Sequence, residues 1–247
     1  MWQSLHEELA GTGFTVVTVA LDAAGADAAR PFIERAKPSH PALIDRRHAV
    51  ADLYQMVNVP AAVWIDESGA IVRAAHAPAA SAAMAGMIGV GPDDYLNAVR
   101  DWASNGDASR FVPPVGARRA SQHEPDLHDV AAALNFRLGE YLVEHGEPAA
   151  GRPYLDRAVR LRPTSWAYRR QAWAIYEPPE RNGILWYEAA VQHPVLEDEP
   201  YYAPVQLTDE PLPDLAEAAR KQREMFENTF GKAFAKPPRS EPDASPV

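Results

Sequence analysis

The feature that most constrains this chain is the run Phe14-Thr15-Val16-Val17-Thr18-Val19-Ala20-Leu21, β-branched and almost unbroken in apolar character. A strand with one wet face alternates polar and apolar residues. An unbroken run reads instead as a strand covered on both faces, as in parallel sheets flanked by helices. The surroundings agree. Leu5 and Leu9 share a helical face ahead of Gly11-Thr12-Gly13, and Ala29, Phe32, Ile33 and Ala36 repeat at helical spacing after the run. A brief strand at Ala42-Leu43-Ile44-Asp45 then precedes a helix with Val50, Leu53, Tyr54 and Val57 on one stripe.

Val59-Pro60-Ala61-Ala62-Val63-Trp64-Ile65-Asp66 reads as a strand opened by a proline, where a missing N–H is tolerated. Glu67-Ser68-Gly69 supplies a turn and Ala70-Ile71-Val72-Arg73 a returning strand, so a hairpin follows the β/α crossovers. Residues 76–91 are rich in Ala, Gly and Met and read as a loop. Pro92-Asp93-Asp94 opens a helix carrying Tyr95, Val99 and Trp102.

Beyond that point the pattern becomes helical only. Residues 105–125 are polar, with Pro and Arg, and read as a linker. Leu127 to Leu142 marks a long helix ending at Gly146, and Tyr154 to Leu161 a second ending before Pro163. Trp166–Tyr176, Leu185–Val191 and Leu215–Phe230 mark three more, with an irregular, proline-punctuated stretch from Pro194 to Pro213. The expected organisation is an α/β domain at 1–104, a linker at 105–125, an all-α domain at 126–231 and a disordered tail at 232–247.

Charge and composition exclude several function classes. Lys and Arg number 24 against 34 Asp and Glu, a formal charge of −10. Neither half has the basic surface that nucleic acid binding rests on. No apolar run approaches the roughly 20 residues of a membrane span. Met1 to Leu9 is amphipathic and acidic, unlike a signal peptide. As the sequence stands it reads as cytoplasmic, and as extracytoplasmic if a signal precedes Met1. The chain has no cysteine. That removes disulfides, thiolate metal sites and cysteine nucleophiles from these residues.

The order Leu43-Ile44-Asp45, Val57-Asn58-Val59-Pro60 and Trp64-Ile65-Asp66-Glu67-Ser68-Gly69-Ala70-Ile71-Val72 resembles the thioredoxin-fold redoxins of the TlpA/ResA and AhpC/TSA type, over roughly residues 1–104. The resemblance implies an α/β thioredoxin-like fold and membership of a thiol/disulfide oxidoreductase group. There a low-pKa thiolate at a helix N-terminus attacks a disulfide or peroxide. It also implies a cis Val59–Pro60 bond, with Val59, Pro60 and Ala61 forming a substrate groove.

The chain departs from the family in one large respect. The strand that carries the redox dithiol, which the family pairs between the counterparts of Phe14–Leu21 and Ala61–Asp66, has no match. Without it the sheet is expected to be incomplete and the chain redox-inactive. One expectation is therefore that Met1 lies inside the first helix of a longer protein, the reactive residue being a cysteine or a selenocysteine whose UGA codon was taken for a stop. DNA upstream of Met1 with no open frame for such a segment would contradict it. In the second half, Leu138-Gly139, Leu142, Gly146, Leu155, Ala158 and Pro163 resemble one tetratricopeptide repeat (TPR), with a degenerate partner at Trp166–Val191. Too few repeats for a solenoid, this TPR-like module is expected to lean on the first domain or on a partner.

Other chemistry is weakly supported. None of the eight histidines forms a zinc-hydrolase pair, and no serine sits in a nucleophile elbow. His123 and His128, with Glu124 and Asp126 between them, offer metal-donor types but read as a solvated helix cap. Gly86-Met87-Ile88-Gly89-Val90-Gly91 lacks the Lys and Ser/Thr of a phosphate loop. No metal or cofactor is expected. Trp166, Trp173 and Tyr176 belong to an aromatic set that reads first as core and second as a surface for a protein or peptide partner. The alternative to a redoxin is thus a non-catalytic scaffold that binds peptides through the groove and the helices.

Overall fold

A computed structural model describes residues 1–120, 124–192, 198–207 and 212–234. The first half runs α1 (Trp2–Glu8), β1 (Thr18–Leu21), α2 (Ala26–Ala36), β2 (Ala42–Asp45), α3 (Ala49–Leu53), β3 (Ala62–Ile65), β4 (Ile71–His76), α4 (Ala82–Ile88) and α5 (Pro92–Asn105). A 3-10 turn (Gly106–Ala108) and α6 (Val115–Ala120) follow. The second half is helical: α7 (Leu127–Glu144), α8 (Pro148–Leu161), α9 (Trp166–Tyr176), α10 (Pro179–Gln192) and α11 (Leu215–Phe234).

The strands make two separate two-stranded sheets among the described residues. β1 and β2 pair in parallel, Thr18 opposite Ala42 and Leu21 opposite Asp45. β3 and β4 form an antiparallel hairpin with irregular register, Trp64 opposite Arg73. Its turn is built by Asp66, whose Oδ1 accepts from the Ser68 and Ala70 amides at 2.9 Å while Gly69 takes φ 84°. The run from Phe14 therefore contributes a shorter strand than its apolar length predicts. With a ladder on one side only, β1 is half-buried, and Val17 is 50% exposed.

Three further expectations are corrected. Residues 76–91 contain a helix, α4, capped by Ser81, whose hydroxyl accepts from the Met84 amide, and closed by Gly89 at φ 77°. The stretch read as a linker folds onto the first half: Val112 is buried, Ser109 donates to Asp101, and the Arg118 Nε donates to the Pro113 carbonyl at 2.7 Å. The helix α11 reaches Phe234, past the expected start of the disordered tail, and residues 235–247 lie outside the described residues.

The first core joins Leu5 of α1 and Leu9, which caps it, to Trp64, Val72, Ile88, Tyr95 and Val99. Trp64 stacks on Trp102 with centroids 4.9 Å apart. A relay of polar contacts runs through this core. The Trp64 indole N–H donates to the Tyr95 hydroxyl at 3.3 Å, which lies 2.7 Å from His76 Nε2, and His76 Nδ1 lies 2.8 Å from the Ala74 carbonyl. With the proton on Nδ1 every group is satisfied, and Nε2 accepts from Tyr95. Burial, foremost, holds the His76 pKa down at about 4.

The helical half is a hairpin of α7 and α8 followed by α9 to α11. Asp126 and Asp129 form a capping box at the start of α7. Glycines bring α7 and α8 together: a Cβ on Gly151 would meet the Gly139 carbonyl oxygen at 2.7 Å. Behind the hairpin, Phe136, Leu155, Ala158 and Tyr168 form a second core.

The two halves interlock. Tyr202, Val205 and Leu207, from the irregular stretch before α11, are buried in the first core. The Val205 amide donates to the Ile88 carbonyl at 3.1 Å, and Gln222 of α11 ties Tyr202 N–H and C=O to the Met87 carbonyl.

Two predictions follow from this packing. Gly151→Ala, which pushes a methyl into backbone, lowers stability by about 1–3 kcal/mol. Gly116→Ala, with open space around it, leaves thermal unfolding within error of the parent. In acid, the unfolded chain protonates His76 near its ordinary 6.5 while the folded protein resists to about 4. Its contribution is thus present above pH 6.5 and lost as pH falls toward 4, on the order of 3 kcal/mol. His76→Gln flattens that part of the urea-midpoint-versus-pH curve relative to the parent.

Candidate functional site

The candidate site grows from the loop between α3 and β3. Asp45, at the end of β2, turns its carboxylate onto the start of α3 and accepts from the Ala49 and Val50 amides at 3.0 and 2.8 Å. That fixes α3 and the loop beyond it. Asn58, buried, accepts from the Val59 amide at 2.9 Å and donates to the Tyr201 carbonyl at 2.9 Å. The Val59–Pro60 bond is cis.

The helical half holds this loop by its backbone. The Ala167 amide donates to the Val57 carbonyl at 3.0 Å. The Tyr202 hydroxyl donates to the Val59 carbonyl at 2.6 Å, with Arg170 Nη1 at 3.5 Å from the same oxygen. Burial, followed by the neighbouring Tyr201, raises the Tyr202 pKa, so the hydroxyl keeps its proton for that bond.

A cleft of about 480 Å³ opens beside Val59, a volume within the range of small-ligand sites. Leu21 and Asp22 at the end of β1 form one wall and Arg170 and Trp173 of α9 another. Asn182 and Trp186 of α10, with Tyr201, close it. Its floor reaches His48, which caps α3 at φ 54° and lies with Nδ1 3.2 Å from Glu140 Oε1. Both side chains are almost wholly enclosed. Burial raises the Glu140 pKa, opposed by the His48 contact.

Around this pair the halves are pinned by polar contacts. Asp52 accepts from the Tyr168 hydroxyl and from Arg137 at 3.2 Å, and Arg162 reaches Gln55 at 2.8 Å and Asp129 at 3.0 Å.

The sequence-read candidates separate in space. Val59 and Trp173 meet in the cleft, while Pro60 is exposed and, like Ala61, lies outside its lining. Trp166 is buried at 4% exposure against Tyr201, making it an interior residue. Tyr176 lines a second, smaller cleft with Trp173. Of the metal-donor candidates, His123 lies outside the described residues, and no group of three or more His, Asp or Glu side chains converges among those described. No described helix is long and apolar enough to cross a membrane.

Sequence reasoning missed the His48–Glu140 pair and the Tyr202 cap. The one signal for the pair was an acid at 140, one turn beyond Phe136 on the buried side of α7. Tyr202 carries no local signal, because its partner is a backbone carbonyl far away in the chain. Comparison with known protein families, with curated proteins and with solved structures finds no match.

Proposed function

We propose that the first half is a thioredoxin-like scaffold of the redoxin group, and that residues 1–247 serve in binding rather than in thiol chemistry. The observation that carries the reading is the division of the strands into a parallel pair, β1–β2, and a hairpin, β3–β4, with no ladder between them. Their order along the chain, with α2 and α3 between strands and α5 after the hairpin, is the order of the redoxins the sequence resembles. In those proteins one more strand, bearing the reactive group, joins the counterparts of β1 and β3. Leu21 at the end of β1 and Val59 ahead of β3 border one cleft, which supports convergence of these strands on a shared space.

The absence of cysteine from the sequence supports a binding role for these residues. The cleft beside Val59 takes a peptide or other small ligand against Trp173 and Trp186, with Arg170 at its side. Because Val59 N–H and C=O already bond to Asn58 and Tyr202, the ligand is held by side chains rather than by main-chain pairing at Val59.

A thiol–disulfide exchange assay tests this reading. Residues 1–247 give no turnover with a disulfide substrate. The same chain preceded by an apolar strand of about six residues and a Cys-x-x-Cys turn ahead of α1 gains it. Turnover by the unextended chain would overturn the binding role. A folded extended chain that stays inactive would overturn the redoxin scaffold.

A further inference from the structure

A groove of about 210 Å³ runs between α8 and α9, apart from the cleft at Val59. From α8 it is lined by Arg152, Asp156 and Arg160, successive turns of one face. The helices run in opposite directions, since Arg152 near the start of α8 lies 3.9 Å from Glu177 just after α9. The groove therefore has two ends of different character. At one end Glu177 is held by Arg181 at 2.7 Å, with Arg152 also near. Toward the other end the groove is lined by Arg160 and by Arg169 of α9.

Arg169 is the unusual group. It is 8% exposed, and its Nη2 donates to the Pro163 carbonyl at 3.0 Å while its guanidinium lies over the Trp166 ring. Its Nε has no hydrogen-bond partner and is sealed from solvent. Among the described residues neither Arg169 nor Arg160 is in an ion pair. A buried guanidinium without a counter-charge is costly, and a chain of net charge −10 has carboxylates to spare for it. The nearest acid in the groove, Asp156, faces Arg152 at 3.9 Å.

We infer that the Arg160–Arg169 end of this groove binds a phosphate dianion, either free phosphate or the head of a small phosphomonoester. Arg160 and Arg169, both lining the groove and neither in an ion pair among the described residues, offer two positive charges for two negative ones. Their planar forks suit the oxygens of phosphate, and a phosphomonoester carries nearly two charges at neutral pH. A carboxylate would neutralise only one. The inference is independent of the redoxin reading.

The test is an NMR titration of the full chain with inorganic phosphate, exchanged for chloride at constant ionic strength and followed at the Arg169 Nε–H and Trp173 indole resonances. The expected result is a saturable shift at Arg169, with acetate at least about tenfold weaker. Arg169→Gln abolishes the shift at Trp173, and the exposed Arg160→Gln, which leaves the fold intact, weakens binding several-fold. Arg137→Gln, outside the groove, leaves it unchanged. Glycerol phosphate in a second arm identifies the source: tighter binding points to a monoester, weaker binding to free phosphate. No saturable shift, acetate binding equal to phosphate, or Arg160→Gln binding like the parent would each overturn the site.

Discussion

Backbone hydrogen bonding is the constraint on which the rest of this structure depends. A buried N–H or C=O needs a partner, yet the described strands share only two ladders. The parallel ladder also fixes which way the groups of β1 point. The Thr18 and Asp22 amides reach the Pro41 and Asp45 carbonyls of the β2 side. By alternation, Ala20 joins them and the amides of Val19 and Leu21 turn to the opposite edge. Leu21, whose amide turns to that edge, also lines the cleft at Val59.

The helical half answers part of this demand. Hydrogen bonds from Ala167 and Tyr202 satisfy the Val57 and Val59 carbonyls of the loop before β3, and Asn58 of that loop donates in return to the Tyr201 carbonyl. Tyr202, Val205 and Leu207 complete the core over Trp64 and Tyr95. A parallel pair and one hairpin of short strands would bury too little by themselves. Threading residues 201–207 back into the first core makes the halves mutually dependent, and it places Arg170, Trp173 and Trp186 beside Val59.

Much of this was legible locally. Ala42–Asp45, the Asp66–Gly69 turn and the long helix from Leu127 follow from β-branched runs, turn chemistry and helical periodicity. The small residues at Gly139 and Ala158 mark the close approach of α7 and α8. What escaped reading lacks local signals. The helix α4 is mostly Ala, Met and Gly, with Met84 and Ile88 as its one buried pair, so its periodicity is faint and Ser81 is the clearest mark of it. The 105–120 stretch is polar in composition but is held by specific bonds from Ser109 and Arg118. At the site, the Val59 loop was legible, whereas His48 with Glu140, Tyr202 on Val59, and Arg160 and Arg169 on one groove bring together residues from distant segments or adjacent helices. Their meaning comes from burial, which a linear pattern does not carry.

The most direct test of the split sheet is backbone amide exchange in residues 1–247, read residue by residue. The account predicts slow exchange at Thr18, Ala20 and Asp22, and exchange at Val19 and Leu21 faster by about tenfold or more, as for unpaired edge groups. Equal protection along the whole of β1 would mean that its far edge is already paired, and would contradict the account.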